Sequence, residues 1–181
     1  MHFITSDLHL GHFNIIRYTN RPFKTLEEMN GEIIRRWNER VKPNDTVIHL
    51  GDFCFKNSPG GKQGEGQGIN ALYYMSRLNG NKVFVKGNHD RNNSLKTPIT
   101  HLLLDFGGRI ILCQHHPIEH PKEIPDMVDL VLCGHVHDKW FGRLYEGTPV
   151  INVGVDRNNF YPWRIDELFY WADRIQNGEE I

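Results

Sequence analysis

Six short apolar runs punctuate this chain, and five of them stop within a residue or two of a carboxylate, amide or imidazole. The runs are HFIT at 2–5, TVIHL at 46–50, KVFVK at 82–86, RIILC at 109–113, DLVLC at 129–133 and PVINV at 149–153. Short, bounded runs rich in Val, Ile, Leu and Phe are the pattern of buried strands. Helical periodicity fills much of the space between them. Thr25 and Glu28 fit a capping box ahead of Met29, Ile33, Ile34 and Trp37 at helical spacing. A shorter helix is predicted over about 69–78, with Leu72, Met75 and Leu78 on one face, and a last one begins near Asp166, with Leu168, Phe169, Ala172 and Ile175 inward. Strands mixed with helices predict an α/β layered domain. No repeat or linker divides the chain, so residues 1–181 read as a single domain.

Composition excludes several classes. The chain has 181 residues, a formal net charge of −1, 39% hydrophobic and 11% aromatic residues, which rules out a disordered or fibrous protein. Near-neutral charge without a long basic run argues against a stable duplex nucleic-acid partner. No stretch approaches the roughly 20 apolar residues of a membrane-spanning helix. The start, MHFITSDLHL, lacks the basic and apolar regions of a signal peptide. Cys54, Cys113 and Cys133 are odd in number and show no C-x-x-C spacing; they read as reduced, mostly buried thiols in a cytoplasmic protein. The glycine-rich stretch 58–68 lacks a phosphate-cradling G-x-G-x-x-G and reads as a surface loop, with a lid over the active site as the lesser alternative.

The strand ends carry the chemistry. Asp7-Leu8-His9 follows the first run, Gly51-Asp52 the second and Gly87-Asn88-His89-Asp90 the third. His115-His116-Pro117 and Gly134-His135-Val136-His137 follow the next two. In open α/β sheets ligands bind at the carboxyl ends of strands. Residues i and i+2 of an extended segment point the same way, so Asp7 with His9, and His135 with His137, are each expected to present two donors to one place. Hard oxygen donors (Asp7, Asp52, Asn88) stand with imidazoles (His9, His115, His135, His137) and no thiolate, a set suited to Mn, Fe, Zn or Co rather than to a structural zinc cage. Seven protein ligands are too many for one ion that must keep a position open, and suit two ions if a carboxylate bridges them. Taken singly the pieces are weak, since Gly-Asp after a strand is usually a turn and D-x-H is common. Five in order at strand ends are specific.

These residues resemble the calcineurin-like metallophosphoesterases, whose five blocks read D-x-H, G-D, G-N-H-D/E, H and G-H-x-H. All five are present in order, and the resemblance spans about residues 3–155. It implies a four-layer α/β/β/α sandwich with a dinuclear centre. It places Asp7, His9, Asp52 and His137 on one metal, and Asp52, Asn88, His115 and His135 on the other, with Asp52 as the bridge. Similar relatives read H-x-P in the fourth block, which favours His115 over His116. The start from Asp7 to His12 is similar to a subset that includes repair nucleases and lipid A pathway pyrophosphatases, and implies that His12 meets the substrate phosphate beside Asn88 and His89. The stretch from Asn152 to Asp156 looks like compact bacterial and phage members. No capping domain is read, so an open site is expected.

The implied reaction is hydrolysis of phosphate mono- or diesters, of small organic phosphates or nucleotides, by attack of a metal-bridging hydroxide. Two divalent ions are the implied cofactors, Mn first, with Fe, Zn, Co and Ni as alternatives. His89 is the candidate proton donor or transition-state stabiliser. Asp90 either orients His89 through a hydrogen bond or caps a turn. Arg17 and Arg91 are candidate phosphate contacts, against a plain reading as exposed arginines; His116, His120 and Asn14 are candidates for the rim. The alternatives are a nuclease acting on single-stranded nucleic acid and a non-catalytic scaffold of the same fold. Such scaffolds lose the histidine of the G-N-H block, which stands here as His89.

Overall fold

The computed structural model describes residues 1–55, 69–91 and 93–179. The glycine-rich stretch 58–68, with its loop or lid, lies outside the described residues. In chain order the elements are β1 (His2–Thr5), α1 (Ile15–Tyr18), α2 (Leu26–Arg40), β2 (Thr46–His49), α3 (Ala71–Ser76), β3 (Asn81–Phe84), β4 (His101–Phe106) and β5 (Arg109–Gln114). A 3-10 turn (Pro121–Glu123), β6 (Leu130–Cys133), β7 (Gly142–Tyr145) and β8 (Thr148–Asn152) follow. A second 3-10 turn (Val155–Arg157), β9 (Trp163–Arg164) and α4 (Ile165–Gln176) complete the order. All six apolar runs are strands. Four further elements, α1, β4, β7 and β9, escape the sequence pattern because they are short or half-exposed.

The strands form two sheets, ordered β3-β2-β1-β9 and β4-β5-β6-β8-β7. In each, three neighbouring strands run parallel (β3, β2 and β1; β5, β6 and β8) and the remaining strands are antiparallel. Apart from the partly exposed edge strand β3, the parallel strands are largely buried on both faces, and their alternation divides the apolar residues between cores. Phe3 and Val47 join a cluster with Met29, Ile33 and Trp37 of α2. Ile4 and Ile48 face the other way, into a cluster with Ile111, Leu130, Leu132 and Ile151 of the second sheet and Leu168, Ala172 and Ile175 of α4. Leu112, Val131 and Val150 build a third cluster with Ile118 and Val128, which draws on no α-helix among the described residues. The arrangement is a mixed α/β sandwich of two sheets, with α2 against the outer face of the first sheet and α4 packed into the cluster the two sheets share.

Helix starts follow the sequence signals with one shift. Thr25 Oγ1 accepts from Glu28 N at 3.1 Å, but the Glu28 carboxylate accepts from Lys24 N at 2.7 Å, one residue earlier than a capping box requires. Cys54, Cys113 and Cys133 are free and buried, and burial pushes the Cys113 thiol up to about 12. No described helix is long and apolar enough to cross a membrane.

The sheets meet where β1, β6 and β8 end. Ser6 pairs with Gly154 in an isolated parallel bridge. Gly134, directly after β6, lies so close to Ser6 that a Cβ there would strike Ser6 Oγ and an oxygen of Asp7. Gly134→Ala is therefore expected to destabilise the fold by about 1–3 kcal/mol, the usual cost of forcing a methyl group into a packed position. Urea denaturation checks this as a lowered midpoint with an unchanged slope.

Candidate metal centre at the strand ends

Asp7, Asp52, Asn88, His115 and His135 all follow parallel strands at the same edge, so residues as far as 128 positions apart in sequence become neighbours. They reach it on an unusual backbone. Asp7 (φ 58°), His9 (φ 51°), Asp52 (φ 57°), His135 (φ 72°) and His137 (φ 51°) all occupy the left-handed region. The expectation that the i, i+2 pairs lie on extended chain is therefore corrected. The strands have already ended at Thr5 and Cys133, and it is a left-handed kink at each donor that turns the pairs together. Asp, Asn and His tolerate this conformation better than most non-glycine residues, at a cost on the order of 1 kcal/mol or more each.

Surrounding hydrogen bonds hold these kinks. Asp7 N donates to Gly51 O and His9 N to Asp52 O, both at 3.0 Å, which lashes the exit of β1 to that of β2. Gly51, at φ 97°, is pinned from one side by its own N–H, which donates to His49 Nδ1 at 3.2 Å. A Cβ on Gly51 would press on Gly87 and on the His115 ring. His49 had no role in the sequence pattern; the structure makes it the acceptor that shapes this turn.

Asp90 is the clamp between two motifs. Its Oδ2 accepts from Asp52 N at 2.8 Å and Gly87 N at 2.9 Å, and its Oδ1 from Phe53 N at 3.1 Å and Asn93 Nδ2 at 2.7 Å. A carboxylate has about four lone-pair sites, and all are taken. Of the two readings of Asp90, the turn cap holds and the hydrogen bond to the His89 ring does not: Asp90 is buried and serves the backbone. His89 reaches the site differently, with its N–H donating to Asp52 Oδ1 at 2.8 Å and its Nε2 4.0 Å from Asp52 Oδ2. Its ring is 44% exposed, which leaves it open to a ligand.

Asp52 Oδ2 is the hub. It lies 3.5 Å from His9 Nε2 and 3.4 Å from His115 Nε2. On one side, ligand atoms of Asp7, His9 and His137 lie within 4.8 Å of one another, as do those of Asp7, Asp52 and His115. On the other, Asn88 Oδ1 is 2.8 Å from His115 Nε2 and 3.0 Å from His135 Nδ1. His115 is buried, with Nδ1 donating to Leu50 O at 2.8 Å, while the neighbouring His116 is exposed and sets its ring at a tilt of 55° to that of His135, centroids 4.4 Å apart. His116 also falls within ligand distance of His115 and His135. His12 is enclosed, stacked on Phe55 with ring centroids 4.3 Å apart and its Nδ1 3.5 Å from His9 Nδ1. Arg17, Arg91 and His120 are exposed and Asn14 is half-buried.

Burial dominates the electrostatics of these groups. Burial pushes the Asp7 carboxyl above its ordinary value and holds the His9 imidazole well below its own, so His9 stays neutral and keeps a lone pair. Burial likewise lowers His135 to about 4. Burial opposes protonation of His115 as well, but the Asp52 hydrogen bond and the nearby Asp7 and Asp52 charges prevail and raise it to about 9. Asp7 Oδ1 and His9 Nε2 are buried without a hydrogen-bond partner and lie 3.8 Å apart. Orphaned buried acceptors are costly, and a divalent cation satisfies both at once. The donor set fits such an ion.

Sequence patterns missed two residues that touch this centre. Arg21 is buried and donates to the carbonyls of Asp7 and Leu8, and Asp156 lies 2.9 Å from His137 Nδ1. Asp156 stands three residues past the sixth apolar run, so the strand-end pattern would have caught it if allowed a slightly longer reach. Arg21 carries no comparable signal.

Known proteins place the chain. It is 36% identical to the uncharacterized protein MJ1445 of Methanocaldococcus jannaschii over 137 residues, 68% of this chain and 73% of that one. It is 35% identical to the Gene 66 protein of Mycobacterium phage L5, across 98% of this chain and 96% of that one. Among solved structures, the protein of unknown function AQ665 from Aquifex aeolicus superposes with a TM-score of 0.69 at 26% identity, over 94% of this chain and 98% of that one. Residues 1–158 match the family model of the calcineurin-like phosphoesterase superfamily domain. With the five strand-end motifs gathered at one edge and the match spanning most of its length, this chain belongs to the calcineurin-like phosphoesterase superfamily.

Proposed function

We propose that the protein is a metal-dependent phosphoesterase that hydrolyses phosphate mono- or diesters of small organic molecules or nucleotides. The observation that carries this reading is the convergence of Asp7 Oδ1, His9 Nε2 and Asp52 Oδ2, two of them buried without partners, beside a second cluster of Asn88, His115 and His135. Asp7, His9, Asp52 and His137 would hold one divalent ion, and Asp52, Asn88, His115 and His135 a second, with Asp52 shared. Manganese suits the mixed oxygen and imidazole donors. Such ions, when bound, supply Lewis acidity and acidify coordinated water.

The chain's own residues do the rest. His89 is the one candidate catalytic side chain that stands half-exposed beside Asp52, where a phosphoryl oxygen or a departing alkoxide is within reach of Nε2. As an imidazolium it donates a proton to the leaving oxygen, and as a neutral donor it stabilises charge on the phosphoryl group. Its main chain is fixed by the hydrogen bond to Asp52 Oδ1, so the ring sits at a set distance from the shared carboxylate. Asp90 keeps that geometry by fastening the Asp52 and Gly87 backbones together. Asn88 offers an amide oxygen to the second cluster and adds no charge there, which keeps the edge attractive to an anionic substrate.

Three outcomes check this reading. Chelation is expected to abolish hydrolysis of bis-p-nitrophenyl phosphate and Mn²⁺ to restore it; turnover that survives exhaustive chelation would remove the metal from the reaction. His89→Ala is expected to retain metal and fold while turnover falls by about 100-fold or more, measured at saturating Mn²⁺. Equal rates in mutant and parent would leave His89 without a catalytic part. Asp52→Asn is expected to weaken both ions together, read by elemental analysis after desalting, and full occupancy would refute a shared carboxylate.

A further inference from the structure

The Arg21 side chain is fully enclosed and that of Asp156 is 4% exposed. The guanidinium uses its fork completely. Nε donates to Asp156 Oδ1 at 2.8 Å, and Nη2 donates to Asp156 Oδ2 at 3.0 Å and to Asp7 O at 2.7 Å. Nη1 donates to Leu8 O at 2.9 Å and to Met29 Sδ at 3.6 Å. The same Asp156 Oδ2 lies 2.9 Å from His137 Nδ1. An ionised carboxylate only accepts, so His137 Nδ1 is the donor and Nε2 is left facing its other neighbours.

A buried ion pair is a poor way to gain stability, because removing two charges from water offsets most of their attraction. Apolar packing between the loop that follows α1 and the second 3-10 turn would serve as well. What the pair does distinctively is reach three metal-ligand candidates from one planar group. Through the Asp7 and Leu8 carbonyls it holds the backbone between the left-handed Asp7 and His9, and through Asp156 it holds the His137 ring. Those three side chains form one of the ligand groups. Asn88, His115 and His135, the other cluster, have no hydrogen bond to either residue.

We propose that Arg21 and Asp156 are positioning residues for the Asp7–His9–His137 subsite: Asp156 fixes His137 as the Nδ1–H tautomer with Nε2 offered to the ion, and Arg21 holds Asp156 and the Asp7–His9 backbone in place. The proposal rests on the metal-site reading above and adds residues and a subsite selectivity that this reading does not contain. Partners of ligating histidines typically contribute about 10–100-fold to metal affinity. Here the effect falls on one subsite.

Mn²⁺ titration of the parent, Asp156→Asn and Arg21→Lys by calorimetry, with electron paramagnetic resonance to distinguish paired from isolated ions, tests it. Asn keeps the shape of Asp156 without the charge, and Lys keeps the charge of Arg21 without the fork. Both variants are expected to lose about 10–100-fold in affinity at one subsite and to retain the other, so that isolated-ion signal replaces paired-ion signal at intermediate Mn²⁺. Parental affinity at both subsites, or equal weakening of both, would overturn the proposal. The metal-free parent gives a measurement that needs no variant: long-range ¹H–¹⁵N spectra at alkaline pH are expected to show His137 as the Nδ1–H tautomer. Finding Nε2–H there overturns the proposal even if a variant fails to fold. A parent that binds no Mn²⁺ would overturn the metal-site reading itself, a result distinct from two-ion binding that the substitutions leave unchanged.

Discussion

A chain leaving a buried strand carries N–H groups that still need acceptors, and the functional edge of this protein is organised by how that need is met. Asp90 answers it for two motifs at once, taking the N–H groups of Gly87, Asp52 and Phe53 on one carboxylate. With its lone pairs filled by backbone and by Asn93, it becomes a structural rivet inside what looks in sequence like a catalytic string. Asp7 and His9 meet the same need by donating to the β2 exit, which forces both into left-handed backbone. The ligand-type side chains point where they do because their main chains have few other places to go. Strain at the donors and satisfaction of the backbone are two aspects of a single arrangement.

The electrostatic design follows from that burial. Desolvation keeps His9 and His135 neutral, the form in which an imidazole can ligate, while Asp7 is pushed toward protonation by the same enclosure. In the same enclosure Asp7 Oδ1 and His9 Nε2 are left without a hydrogen-bond partner. A chain with a formal net charge of −1 can therefore present a sharply local demand for cations. The demand belongs to the edge of the sheets and not to the surface as a whole.

Much of this was legible in the sequence, for physical reasons that also explain the gaps. β1, β2, β5, β6 and β8 are buried on both faces, so they appear as apolar runs that any hydropathy reading finds. β4, HLLLDF, alternates between exposed and half-buried positions at a sheet edge, and β9 is only Trp163–Arg164, too short for any period to register. The ligand candidates were legible because they stand directly at strand ends. Their backbone was not, since a left-handed φ at Asp or His leaves no mark in composition. Asp90 looked like a partner for His89 because the two are adjacent, whereas its geometry was decided by Asp52 and Gly87. The Arg21–Asp156 pair joins positions 135 residues apart, a distance over which spacing arguments have nothing to count.

The order of the strand ends along the chain has a consequence for biosynthesis. Asp7 and His9 precede every other donor in the chain, yet the group they join reaches as far as His137, which in turn meets Asp156. A fragment that stops before His135 lacks His137 as well, so the Asp7–His9–His137 group is complete only once the second sheet has docked on the first. Completion of that group is therefore a late step in the assembly of the fold, and an ion held there would report that both sheets have docked.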